Sequence, residues 1–126
     1  MDAQTLRTKL DAAPQKAREW LSSEEAAKQI GSINQHFGIA GETRRVIPRL
    51  ILRLEIQDLE PDYFSGELAE ELKLHPDKAK AITAEIKRLI LGPIKKELAD
   101  SGTDISLMDS FNIPVVKPEK FSASPP

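Results

Sequence analysis

The sequence predicts an all-α fold: a small four-helix core of two αα-hairpins, short N-terminal helices beside it, and an extended or disordered C-terminal tail. Three observations predict it. Apolar residues recur at helical spacing from Ala26 to Leu98, as in amphipathic helices that each bury one face. Aromatics make up only 5% of the 126 residues, so the core must come from Leu, Ile, Val and Ala, which suits helices packed on helices. Turn signals separate the periodic stretches at Gly38–Gly41, Glu60-Pro61-Asp62 and His75-Pro76. The implied organisation is short helices over 1–21, a helical bundle over 22–102 and a tail over 103–126.

Residues 4–12 carry Leu6 and Leu10 four apart, enough for a weak helix, and Pro14 restarts the count for a short helix over Gln15–Leu21. Trp20 reads as a lid closing one end of the core. Ser22 and Glu25 stand at capping-box spacing, so the first core helix is expected over Ser23–Phe37, with Ala26, Ile30, Ile33 and Phe37 inward. The second, Glu42–Ile56, carries Val46, Ile47, Leu50, Ile51, Leu54 and Leu52 over much of its circumference, which makes it the most central. Pro48 inside it predicts either a kink or a helix that begins near Val46. The third, Asp62–Leu72, turns Phe64, Leu68 and Leu72 inward and leaves Tyr63 at a rim. The fourth, Asp77–Asp100, buries Ala79, Ile82, Ile86, Leu89, Ile90, Ile94 and Leu98, bends at Gly92-Pro93 and stops at Gly102. Beyond Thr103 the period is lost. The apolar residues Ile105, Leu107, Met108, Phe111 and Ile113 fit a short partner motif or docking onto the chain's own bundle.

A shift of 35 residues aligns Ile33 with Leu68, Phe37 with Leu72, Ile39 with Leu74, Ile47 with Ile82 and Ile51 with Ile86. That register is expected either from an internal duplication or from two amphipathic hairpins of the same design.

Forty per cent hydrophobic and 30% charged residues with a net charge of −2 describe a soluble globular chain with no global attraction for nucleic acid. The chain has no cysteine, which excludes disulfides and thiol chemistry and favours a reducing compartment, the cytoplasm. The N-terminal stretch lacks an apolar signal-peptide core, and no apolar run approaches the ~20 residues of a membrane span, so no membrane insertion is expected.

No catalytic set is legible. His36 and His75 have no neighbours at metal-ligand spacing, the glycines form no phosphate-binding loop, and Glu70-Glu71 point apart on a helix. The chain therefore reads as a non-enzyme without metal or cofactor, and no small-molecule ligand is evident. Its charge is segregated instead. Arg45, Arg49 and Arg53 fall four apart on one face, whereas Glu55 to Glu71 holds seven acidic residues and no basic one. The stripe is either a docking surface or a face answered by the acidic segment behind it.

Leu68-Ala69-Glu70-Glu71-Leu72-Lys73-Leu74, followed by Ala79, Ile82 and Ile86, resembles the helix-turn-helix of bacterial regulators, departing from it where Lys73 stands in place of the common glycine and His75-Pro76 follows. The same pattern is similar to ubiquitin-associated-like helical domains. Residues 22–98, with Gly92-Pro93-Ile94-Lys95 near their end, resemble an uncharacterised all-helical bacterial module, a likeness that implies a modular helical domain and no functional residues.

The function expected is a protein-protein interaction or assembly module, binding a protein partner or a second copy through a basic face of Arg45, Arg49, Arg53, Lys80 and Lys87 and an acidic face of Glu67, Glu70 and Glu71. The alternative is nucleic-acid binding through the helix-turn-helix-like hairpin 67–98. Lys73 to Lys96 carries seven basic residues against two acidic ones, which could meet phosphates.

Overall fold

A computed structural model describes residues 2–112, and among them the regular structure is entirely helical. The order is α1 (Ala3–Ala12), α2 (Gln15–Leu21), α3 (Glu24–His36), a 3-10 turn (Gly41–Arg45), α4 (Val46–Glu55), a 3-10 turn (Pro61–Tyr63), α5 (Phe64–Leu72) and α6 (Pro76–Ile86). A π turn (Lys87–Leu91), a 3-10 turn (Gly92–Ile94), α7 (Lys95–Asp100) and a last 3-10 turn (Ile105–Asp109) complete it. No helix among the described residues is long and apolar enough to cross a membrane.

Both interior prolines are accommodated by the backbone around them. The residues before Pro48 wind as a 3-10 turn and the α-helix starts at Val46, so the missing N–H of Pro48 falls in the first turn, where amides lack intrahelical partners anyway. At Pro93 an α-helix would leave the Leu89 carbonyl without a donor. The chain widens there into the π turn, tightens over Gly92–Ile94 and resumes as α7.

The cap of α3 is Ser23, whose Oγ accepts from the Ala26 N–H at 3.1 Å. Ser22, expected at that position, instead donates its hydroxyl to the Arg18 carbonyl at 2.8 Å and finishes α2. His75 caps α6 through Nδ1, which accepts from the Asp77 N–H at 3.2 Å, and Pro76 takes the first helical position.

Four helix ends close in one way. Gly38, Gln57, Lys73 and Gly102 have positive φ of 72°, 61°, 55° and 102°. The residue after each returns its N–H five residues back: Ile39 to Asn34 at 2.8 Å, Asp58 to Arg53 at 2.8 Å, Leu74 to Ala69 at 2.9 Å and Thr103 to Leu98 at 2.8 Å. This Schellman closure satisfies the last carbonyls. The turns after α3 and α5 thus match at the 35-residue shift, but so do two ends outside that register, and the helix starts differ. A 3-10 turn leads into α4 where Pro76 opens α6 directly, and Val46 is buried where its counterpart Ala81 is exposed. Shared helix-ending chemistry accounts for the similarity of the turns.

The core runs through α4, α5 and α6, with Ile47, Leu50, Phe64, Leu68, Ile82 and Ile86 fully buried. Burying such side chains stabilises by ~1.5–3 kcal/mol each before chain entropy is counted. Inside it the Ser65 hydroxyl donates to Thr83 Oγ1 at 2.8 Å, and Thr83 passes its own proton to the Ala79 carbonyl at 2.9 Å, so this buried polar pair is satisfied.

The start of the predicted tail docks on the bundle. Thr103, Ile105 and Met108 are buried, Met108 completely. Lys87 Nζ pairs with Asp109 Oδ1 at 2.7 Å, and Asn112 Nδ2 donates to the Asp62 carbonyl at 3.1 Å. Ile113 and the rest of the tail lie outside the described residues, as does the side chain of Leu10.

Candidate functional site: a groove between α3 and α4

Helix α4 packs on α5, α5 on α6, and α3 lies against α6 and the π turn. Between α3 and α4 the surface opens into a groove of about 1120 Å³. Helix α3 presents Ala27, Ile30, Gly31, Asn34 and Gln35 to it, residues three and four apart that share one face. The 3-10 turn supplies Glu42, Arg44 and Arg45, and α4 supplies Pro48. A second cavity of about 420 Å³ continues along α4 past Ile51 and Leu52 to Glu55, with Arg18 and Asp11 beside it. Leu21, Ile30 and Pro48 line both, so the two form one trough with an apolar middle.

Each end holds a buried acceptor with nothing to accept from. Asn34 is 6% exposed and its Nδ2 donates to the Arg44 carbonyl at 3.4 Å, while its Oδ1 finds no donor among the described residues. Glu55 is 7% exposed, and its Oε2 finds none either. Burial raises the Glu55 carboxyl above the ordinary glutamate range, and the nearby Arg18 guanidinium opposes that shift. A buried acceptor left unsatisfied costs about 1–3 kcal/mol, more when charged. Both residues line the trough, but the two oxygens themselves are closed off from its open space. A third such atom, Asp62 Oδ1, lies away from the trough.

The residues expected to bind a partner are distributed otherwise. Arg49 meets Glu71 at 2.7 Å, and Arg53 meets Glu67 at 3.5 Å and Asp58 at 3.4 Å. The basic stripe of α4 and the acidic face of α5 thus answer each other along the α4–α5 seam. Lys87 is held by Asp109. Arg45, Glu70 and Lys80 are exposed without an ion pair among the described residues, and of these only Arg45 borders the trough. The sequence places Glu55 with the acidic segment that follows it and gives no sign of a buried Asn34. For Glu55 a signal exists: it stands four residues after Ile51 and seven after Pro48, on the flank of the apolar stripe.

No cluster of metal-ligating side chains occurs among the described residues. Comparison with protein-family models, curated proteins and solved structures yields no match to this chain.

Proposed function

We propose that the chain is a non-enzymatic protein-protein interaction or assembly module that engages its partner through the α3–α4 trough. The observation that carries this is the trough itself, an open groove with an apolar middle of Leu21, Ile30 and Pro48 and charged residues toward its ends, the composition of a surface that a partner covers. Arg45 borders it, while Arg49, Arg53, Glu67 and Glu71 pair with one another along the α4–α5 seam.

The test is a photoreactive amino acid placed at Gln35 in the native host. Irradiation yields a protein adduct of constant mass from Gln35 and none from Ala99, which lies outside the trough. Equal labelling from both positions, or no protein adduct at Gln35, removes the proposal.

One observation favours a second reading, nucleic-acid binding through the hairpin 67–98. Lys73 adopts the left-handed conformation that glycine supplies in helix-turn-helix turns, and Lys78 and Lys80 are exposed on the helix that follows. Retention on duplex DNA at low salt, weakened steeply by added salt and by Lys80→Glu, supports it. Absence of retention at low salt eliminates it.

A further inference from the structure

We infer that α1 and the Ala13-Pro14 link form a pH-sensitive latch over Glu55, closed while the carboxyl holds its proton and opened by the loss of that proton. The device is independent of whatever the trough binds.

Burial without a partner makes Glu55 sensitive. It is 7% exposed, its Oε2 is enclosed without a donor, and it has no ion pair among the described residues. A protonated carboxyl tolerates such a place far better than a carboxylate, whose desolvation is costlier than that of a neutral group. Two cavities flank it. One of about 420 Å³ is shared with Asp11 of α1 and Arg18 of α2, and one of about 440 Å³ with Lys9, Ala13, Gln57 and Ser101. The charged groups facing Glu55 are therefore Lys9 and Asp11 from α1 and Arg18 from α2, while the ends of α4 and α7 add only Gln57 and Ser101. Arg18 is engaged with the link instead, its Nε donating to the Ala13 carbonyl at 3.3 Å.

Water reaches the carboxyl most readily through α1. The side-chain bonds of this helix stay within its own segment: the Thr5 N–H donates to Asp2 Oδ1 at 2.8 Å, and the Thr8 hydroxyl donates to the Gln4 carbonyl at 3.0 Å. The helix packs only weakly on other elements, and none of its described side chains is buried. Opening breaks the bond from Arg18 to Ala13 and uncovers Ala13, 8% exposed when closed. The shared interior of α4, α5 and α6 is left as it is.

Linkage gives the direction. With the latch open the carboxyl meets water and titrates in the ordinary glutamate range, whereas in the closed latch burial raises its pKa, opposed in part by the Arg18 charge. Closure is therefore favoured in full below the ordinary value. The open fraction grows about tenfold per pH unit between the ordinary and the raised value and levels off above the raised one.

The chain has no cysteine, so Ala13→Cys places a single thiol under the latch. Its labelling rate with a pyridyl disulfide, a reagent that works in acid as well as at neutral pH, is followed across the glutamate range and above it, with and without Glu55→Gln. The ratio of the two rates at each pH removes the thiol's own pH dependence. It is expected to be constant in acid, to rise about tenfold per pH unit across the window and then to level off, while amide exchange in α5 stays equal in the two proteins. A flat ratio overturns the inference. So does a ratio that falls with pH, the result if Lys9 or Arg18 is drawn onto the carboxylate and tightens the latch, and so does exchange in α5 that quickens in step with the thiol, which would mean unfolding of the whole chain. Amide exchange over residues 3–13 in the cysteine-free parent and Glu55→Gln is the second measurement. The parent is expected to exchange faster than the variant by a factor that grows through the same window, and a constant factor overturns the inference as well.

Discussion

The indole Nε1 of Trp20 donates to the carbonyl oxygen of Ile90 at 2.6 Å, joining residues seventy apart in sequence. Its acceptor lies in the π turn that Pro93 imposes on the long helical segment. The widened turn departs from the α-helical bonding pattern, and the indole N–H adds a bond to one of its carbonyls. The expected lid at the end of the core is therefore also a hydrogen-bond donor to an irregular piece of backbone.

Trp20→Phe keeps most of the aromatic packing and removes the donor. It is expected to cost about 1–2 kcal/mol, the penalty for orphaning a partly buried carbonyl, read as a fall in the urea midpoint with an unchanged slope. A midpoint equal to that of the parent chain would show that the bond contributes nothing.

Glu55 makes a prediction about pH. Its folded pKa is raised, mainly by burial, so its favourable contribution is fully present below the ordinary glutamate value and is lost as pH rises through the raised folded value. Glu55→Gln stays neutral throughout. The difference in unfolding free energy between variant and parent should be near constant in acid, then grow in favour of the variant across that window. Lys9, Arg18 and Asp11 line the same cavities, and the Arg18 charge, which opposes the shift, narrows the window without reversing its sign. A difference independent of pH refutes this account of the carboxyl.

The two non-glycine residues at positive φ should respond differently to glycine. Lys73 is exposed and makes no side-chain bond among the described residues, so Lys73→Gly relieves αL strain and is expected to stabilise by roughly 0.5–1 kcal/mol after glycine's extra unfolded-state entropy. Gln57 donates its amide to the Ser101 carbonyl, tying the end of α4 to the end of α7. Gln57→Gly gains the same relief and loses that bond, so its melting temperature should stay level or fall. A rise at Gln57 as large as at Lys73 would show the bond to be idle.

Met108 and Leu107 are neighbours with opposite burial, 0% and 46% exposed. Met108→Ala should cost about 2–5 kcal/mol, as for other buried large-to-small changes, while Leu107→Ala should stay within about 0.5 kcal/mol of the parent. Equal effects in thermal unfolding would contradict the docked position of the last 3-10 turn.

Helix existence was legible wherever the apolar stripe was long, because burial of one face leaves a period that single residues cannot erase. The irregularities at Pro48 and Pro93 were legible for a related reason, since a missing N–H must be absorbed locally. Other features leave no such trace. Lys73 looks like any exposed lysine, and its left-handed backbone follows from the chain having to reverse between α5 and α6. Met108 sits in a segment without period because a plug needs only one or two inward residues. Arg49 and Arg53 were visible as a stripe, but which carboxylates answered them depended on how α5 lies on α4. Glu55, counted with the acidic segment after it, belonged by helical geometry to the apolar flank before it. That difference concealed the trough.

The open trough also bears on how the molecule comes apart. Helix α3 is held on one side by α6 and the π turn, Ile33 shares the core with α4, and the one side-chain hydrogen bond toward α4 among the described residues runs from Asn34 to the Arg44 carbonyl in the turn before it. Helices α2 and α3 can thus lift away together once the Trp20 contact lets go, while α4, α5 and α6 keep their shared interior. In amide exchange this produces two protection levels, a lower one over residues 15–36 and a higher one over 46–86. A partner seated in the trough would tie α3 to α4 and bring the first level up toward the second, so occupancy would register as slowed exchange along the whole of residues 15–36.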